Sequence, residues 1–155
     1  MATNTQAIGV AYADQAIVSG QVDGSPIGSV TPSTVVGTTV YCSQEIGYTA
    51  AAQGTVTQAT SKSTGVTLNK SAGRITMNGA TLNANTAATF TLTNSLISAN
   101  DAIIVNVSGG GTAAAYTTYI SSMTAGSADI TLRNMTGGNL SEAVVINFAI
   151  IHGAA

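Results

Sequence analysis

From Gly54 onward, apolar and polar residues alternate over short stretches of the chain. Val66 and Leu68, for example, alternate with Thr67 and Asn69. A period of two is typical of a strand that buries one face, and no helical period lasts longer than one turn. The pattern therefore predicts eight short strands, at residues 55–60, 65–69, 74–77, 87–93, 102–107, 115–121, 127–133 and 142–151.

The segments between these strands are rich in Gly, Asn, Ser and Asp, the residues that turns require. Short strands at nearly regular spacing predict an all-β fold, a jelly-roll-like β-sandwich. The short link from Lys70 to Gly73 predicts a tight hairpin between the second and third strands. Arg133 and Glu142 flank the last loop, and they could pair across it if it joins antiparallel strands.

Residues 1–52 have a different texture from the rest of the chain, because short apolar pieces alternate irregularly with glycine. Pro26 and Pro32 are the only prolines, and they disfavour helix. We expect an extended N-terminal arm or a small strand-rich segment over 1–52, followed by a sandwich domain over 53–155. The apolar side chains of an extended arm would need partners, and we expect strand addition to another protein's sheet edge at Ile17, Val18, Val35, Val36 and Val40.

Composition points to assembly with other protein surfaces. Only 6% of the residues are charged and 45% are apolar, so little charge repulsion opposes self-association.

Other features of the sequence exclude several classes of partner. A net charge of -2 argues against nucleic-acid binding. The longest apolar run, 143–151, is too short to span a bilayer, so we expect no membrane partner. No secretory signal pattern opens the sequence, which predicts synthesis and assembly in a cytoplasm. The single Cys42 is expected to be a small buried side chain.

Three of the four cationic side chains lie between Gly54 and Leu82. They are Lys62, Lys70 and Arg74, and the strand pattern places them at strand ends and turns. Two interpretations follow from that placement. The cations are either solubilising surface charge or a contact site for an anionic partner, and the first is favoured.

The sequence offers little material for catalysis. The single histidine, His152, lies next to the C-terminus, and one His with one Cys cannot form a zinc site within a chain. A three-fold axis could gather three copies of His152, but we expect no such site. The carboxylates are scattered, and Asp101 is interpreted as a turn cap. The six carboxylates are Asp14, Asp23, Glu45, Asp101, Asp129 and Glu142. We therefore predict no enzyme, no cofactor and no metal.

Residues 54–153 resemble a β-rich module of tailed-bacteriophage virion proteins, including head decoration, head fibre and tail-associated proteins. The most specific pieces are "VTQATSKSTGVTLNK" and "SEAVVINFAII". The resemblance implies a structural role in the virion and no active-site residues. It does not cover residues 1–52.

This resemblance implies a capsid decoration, or cement, protein that binds the assembled head and stabilises it. The expected partners are the major capsid protein and two further copies of the chain in a homotrimer. The alternative is a head-fibre or tail-tip module that binds a host surface. A β-sandwich hydrolase or lyase is not expected, because no catalytic constellation can be assembled from these residues.

Overall fold

The computed structural model describes Gly37 and residues 39–153. The chain divides into two units, residues 1–43 and 44–155. Every strand of the described residues lies in the second unit, together with a short 3₁₀ helix, Ala50–Ala52. The strands are β1 Gln53–Thr57, β2 Val66–Thr67, β3 Ala72–Thr76, β4 Ala87–Thr93, β5 Ala102–Gly109, β6 Tyr116–Thr124, β7 Ser127–Asn134 and β8 Val145–Ile151.

The strands form two four-stranded sheets, sheet A in the order β1-β3-β8-β5 and sheet B in the order β2-β4-β7-β6. This architecture confirms the predicted all-β sandwich. All eight predicted strands overlap an observed strand, and the prediction for β4 matches at both ends. Alternation was informative because each sheet buries one face against the other and exposes its opposite face.

Each sheet ends in a parallel pair, β1 with β3 and β2 with β4, while all other pairs are antiparallel. Parallel neighbours cannot be joined by a hairpin and need a crossover. Here the chain crosses to sheet B as β2 and returns to sheet A as β3. Along the sequence β2 therefore lies between β1 and β3, although these two strands are neighbours in sheet A. The predicted hairpin at Lys70 to Gly73 is therefore wrong. Gly73 lies in β3, where a Cβ atom would be 2.6 Å from Leu68 Cδ2 and 2.7 Å from Phe148 Cε1.

The core lies between the sheets and is built from the inward residues of β3, β4, β7 and β8. Ile75, Leu92, Ile130 and Ile146 are fully buried there. These four strands are the inner members of their sheets. The edge strands stack in pairs at the two sides of the sandwich, β1 near β2 and β5 near β6.

Residues 44–52 belong to the sandwich unit, so this unit begins earlier than the predicted boundary at 53. The Tyr48 hydroxyl donates a hydrogen bond to the Ile150 carbonyl oxygen. Gln53 Nε2 donates to the Tyr48 carbonyl oxygen at 2.8 Å. These bonds attach the segment before β1 to the last strand.

All five predicted arm contacts fall within the first unit. Ile17, Val18, Val35 and Val36 lie outside the described residues. Val40 is 66% exposed, and the strand addition predicted for it stays a prediction. Cys42 is also exposed, which corrects the expectation of a buried thiol.

Candidate functional site

The structure gives the three clustered cations different environments. Lys62 is only 3% exposed, which corrects the interpretation that it is solvated surface charge. Its Nζ donates to the carbonyl oxygens of Asn78, at 2.7 Å, and Glu142, at 2.5 Å. Lys62 therefore ties the loop after β1 to the segments that follow β3 and precede β8. The partner contact predicted at Lys62 stays a prediction.

Polar groups around Lys62 complete a network inside the chain. Gln58 Nε2 donates to the backbone carbonyl oxygens of Lys62 and Thr64, at 3.1 and 2.8 Å. Gln58 Oε1 accepts from the backbone N–H of Asn78 at 3.0 Å. Burial holds the pKa of Lys62 below its ordinary value, and the Glu142 charge opposes that shift. Burial without hydrogen bonds would be costly, and this network supplies the bonds.

Glu142 accepts from Tyr116 Oη at 2.7 Å and from Thr112 Oγ1 at 2.8 Å. These hydrogen bonds lower the pKa of Glu142, while burial raises the pKa of Tyr116. The predicted pairing of Glu142 with Arg133 does not form, because β7 and β8 belong to different sheets.

Lys70 serves as a second internal tie, since its Nζ donates to the Ala51 carbonyl oxygen at 2.8 Å. This bond holds the 3₁₀ helix against the start of β3. The partner contact predicted at Lys70 stays a prediction.

Arg74 differs from both lysines, because it lies on the outer face of sheet A. It occupies the middle of a polar row that crosses all four strands. In this row Thr55 is beside Arg74, Arg74 is beside Asn147, and Asn147 is beside Asn106. The strand register therefore lines up one cation, two amides and one hydroxyl.

The adjacent row has small residues in its middle. It runs from Gln53 through Ala72 and Ala149 to Ile104. The two alanines leave a depression between the longer side chains around them. The result is a groove of about 570 Å³, which we call the Arg74 groove. Its lining comprises Ala50, Gln53, Gly54, Thr55, Ala72, Gly73, Arg74, Ile104, Asn106, Asn147, Phe148 and Ala149.

The guanidinium of Arg74 makes no hydrogen bond or ion pair with the described residues. The other polar side chains that line the groove are neutral, and no carboxylate is among them. Ser108 Oγ donates to Asn147 Oδ1 at 2.9 Å and so orients one of the amides. The groove is thus a polar depression with one uncompensated positive charge, suited to a carboxylate that can accept two parallel hydrogen bonds.

The outer face of sheet B is different, because its hydroxyls bond to neighbouring side chains of the same sheet. Thr89 and Thr131 share a hydrogen bond of 2.8 Å, and Thr91 donates to Asp129 at 2.7 Å. Arg133 lies on this face, exposed and without an ion pair among the described residues. It is not part of the groove lining, so it provides a matched control for Arg74.

His152 and Asp101 are in hydrogen-bond contact, with 3.1 Å between Nδ1 and Oδ2. The Asp101 carboxylate also accepts from Ser98 N at 2.8 Å, Ser98 Oγ at 2.8 Å and Gly153 N at 3.0 Å. This confirms Asp101 as a turn cap. The Ser98 amide is the main cause that lowers the pKa of Asp101 to about 2. Ser98 contacts Asp101 rather than His152, so a Ser-His-acid relay is not arranged here. Within the described range, no cluster of three or more potential metal ligands occurs.

Sequence reasoning found Arg74 but missed Gln53, Asn106 and Asn147, which come from distant strands. Alternation within each strand does place these residues on an outward face. Their meeting in adjacent rows depends on strand order and register, which the sequence pattern does not specify.

Comparisons of the chain with protein-family models, with curated proteins and with solved structures found no match. In the part of the chain that the structure describes, we find no helix that combines the length and apolar character needed to span a membrane.

Proposed function

We propose that this chain is a bacteriophage capsid decoration protein, and that it binds the major capsid protein through the Arg74 groove. The virion assignment rests on the resemblance of residues 54–153 to phage virion modules. The self-associated homotrimer and the location on the virion belong to the same proposal. The mechanism is mass action, since a protein that binds only the assembled shell stabilises that shell.

The Arg74 guanidinium has no hydrogen-bond or ion-pair partner among the described residues, and this observation supports a binding role for the outer face of sheet A. Every other polar lining side chain of the groove is neutral, so a carboxylate from the capsid surface would be the first negative charge to reach it. The amides of Asn106 and Asn147 can bond to a backbone or side chain beside that carboxylate. An exposed charge contact contributes little affinity by itself, but it orients the two partners.

The test is co-sedimentation of the full chain with undecorated phage heads at several salt concentrations. Arg74→Ala should weaken binding by about tenfold, which equals 1.4 kcal/mol, and should reduce the salt dependence. Arg133→Ala removes the same charge from sheet B and should leave binding unchanged. Equal effects of the two substitutions would reject the groove and indicate a general charge effect.

A second arm of the test addresses the alternative, a head-fibre or tail-tip module that binds a host surface. In that case the wild-type chain should bind host cells rather than heads, and Arg74→Ala should reduce cell binding. Absence of binding to heads would reject the decoration proposal.

A further inference from the structure

The sandwich has two sides at which edge strands stack, and these sides are built differently. At the first side β2 has only two residues and β1 has five. At the second side β5 has eight residues and β6 has nine. We call this second side, formed by β5 and β6, the open side. It presents the longest unpaired strand edges of the described structure.

Neither edge strand of the open side carries the residues that protect edges. The sequences AIIVNVSG and YTTYISSMT contain no charged residue and no proline. Natural proteins use charge, proline or bulges to stop such edges from pairing with another chain. Bulges do occur near Ser108 and Ser121, but they leave regular edges at 102–107 and 116–120.

The open side also leaves the core incompletely covered. Nine hydrophobic residues are only partly buried against the core, and six of them lie on β5 or β6. Tyr119 points to the outer face of β6, away from the core, and is also exposed, at 48%. The partly buried residues of the open side are Ile103, Val105, Val107, Tyr116, Ile120 and Met123.

We infer that the open side is the contact between copies of this chain. A partner that covers it must offer two uncharged strand edges separated by the spacing of packed sheets, about 10 Å. A second copy presents the same two edges at the same spacing. Pairing can then continue both sheets from one copy into the next and cover the partly buried side chains of both.

Low charge makes this self-contact favourable, since burying the open side removes no charged side chain of either strand from water. In a closed pair both edges of one copy pair with those of the other, whereas in a closed ring of three β5 of each copy pairs with β6 of the next. The inference rests on the self-association in the proposed function, but it is independent of the particle that the chain decorates.

The test is sedimentation velocity of the full chain over a range of micromolar concentrations. The wild type should sediment as a dimer or trimer. Tyr119→Lys places a charge on an exposed position of β6, and Val107→Lys directs one into the open side. Each should weaken self-association by at least about tenfold, because like charges would meet across the contact.

Thr93→Lys is the matched control, because Thr93 is exposed on β4, an inner strand of sheet B. It should not change the mass. Circular dichroism and thermal unfolding will identify a variant that fails to fold, and Tyr119→Lys remains informative if Val107→Lys does so. A monomeric wild type, or folded Tyr119→Lys and Thr93→Lys variants with the wild-type mass, would overturn the inference. Head binding by a monomeric wild type would reject this contact while leaving the decoration role intact.

Discussion

Lys62 and Arg74 come from the same cationic segment, yet they occupy opposite kinds of environment. The Lys62 ammonium is buried and donates to two carbonyl oxygens of the chain. The Arg74 guanidinium is exposed in a groove and has no partner among the described residues. The contrast separates two uses of charge. Lys62 contributes to the fold, whereas Arg74 is available to another molecule.

Lys62→Ala should lower the stability of the fold, because Lys62 is the residue of this pair that bonds within the chain. The substitution leaves the Asn78 and Glu142 carbonyl oxygens without their donor and opens space beside them. We expect a loss of about 2–3 kcal/mol in the free energy of unfolding, measured by urea denaturation. Lys62→Met keeps most of the side-chain volume and should be less harmful. An Ala variant as stable as the wild type would mean that the network contributes nothing to stability.

Asp101 extends the comparison to a buried anion whose partners are internal. Its lowered pKa means that its stabilising contribution is present above the ordinary value, 3.8, and is lost as pH falls towards about 2. Asp101→Asn should be less stable at neutral pH, because the amide offers one acceptor to several donors. It should also lose part of the acid dependence between about pH 4 and 2. Thermal unfolding across this range measures both effects, and identical acid profiles would contradict this assignment.

Shortening the chain should distinguish the two units. A chain that starts at Gln44 keeps the Tyr48 and Ala51 bonds, so its sandwich should retain full stability. A chain that starts at Gln53 loses them and should be less stable by about 1–2 kcal/mol. If residues 1–43 attach the protein to heads, both shortened chains will lose most head binding. Tight binding by the Gln44 chain would leave the Arg74 groove as the main contact.

Arg74→Ala should have the smallest effect on stability, within about 0.5 kcal/mol of the wild type. This expectation follows because no residue that the structure describes bonds to its guanidinium. Arg133→Ala should behave in the same way. A large destabilisation by Arg74→Ala in urea denaturation would show that the residue has a structural role and would weaken its assignment to binding.

The sequence predicted the strands well because alternation depends on local burial. It predicted strand partners poorly, because pairing depends on contacts between distant segments. Gly73 illustrates the difference. As a glycine after a short polar link it indicated a turn, but its lack of a side chain serves close packing against Leu68 and Phe148.

The candidate site was predicted only in part, because it too depends on contacts between distant segments of the chain. Arg74 stood out as a charge in a nearly uncharged chain, but its amide neighbours come from β5 and β8. The burial of Lys62 was missed because the acceptors of its hydrogen bonds are backbone carbonyls. Any residue type carries such a carbonyl, so the sequence contained no signal for it.

The position of β8 has a consequence for the order in which the protein can fold during synthesis. This strand lies between β3 and β5, so the earlier strands of sheet A have no continuous ladder until β8 leaves the ribosome. Sheet B, by contrast, has all its strands once β7 has emerged. We expect nascent chains that stop before β8 to expose the apolar inner face of sheet B and to need protection from aggregation, with native structure forming only after the last strand is released.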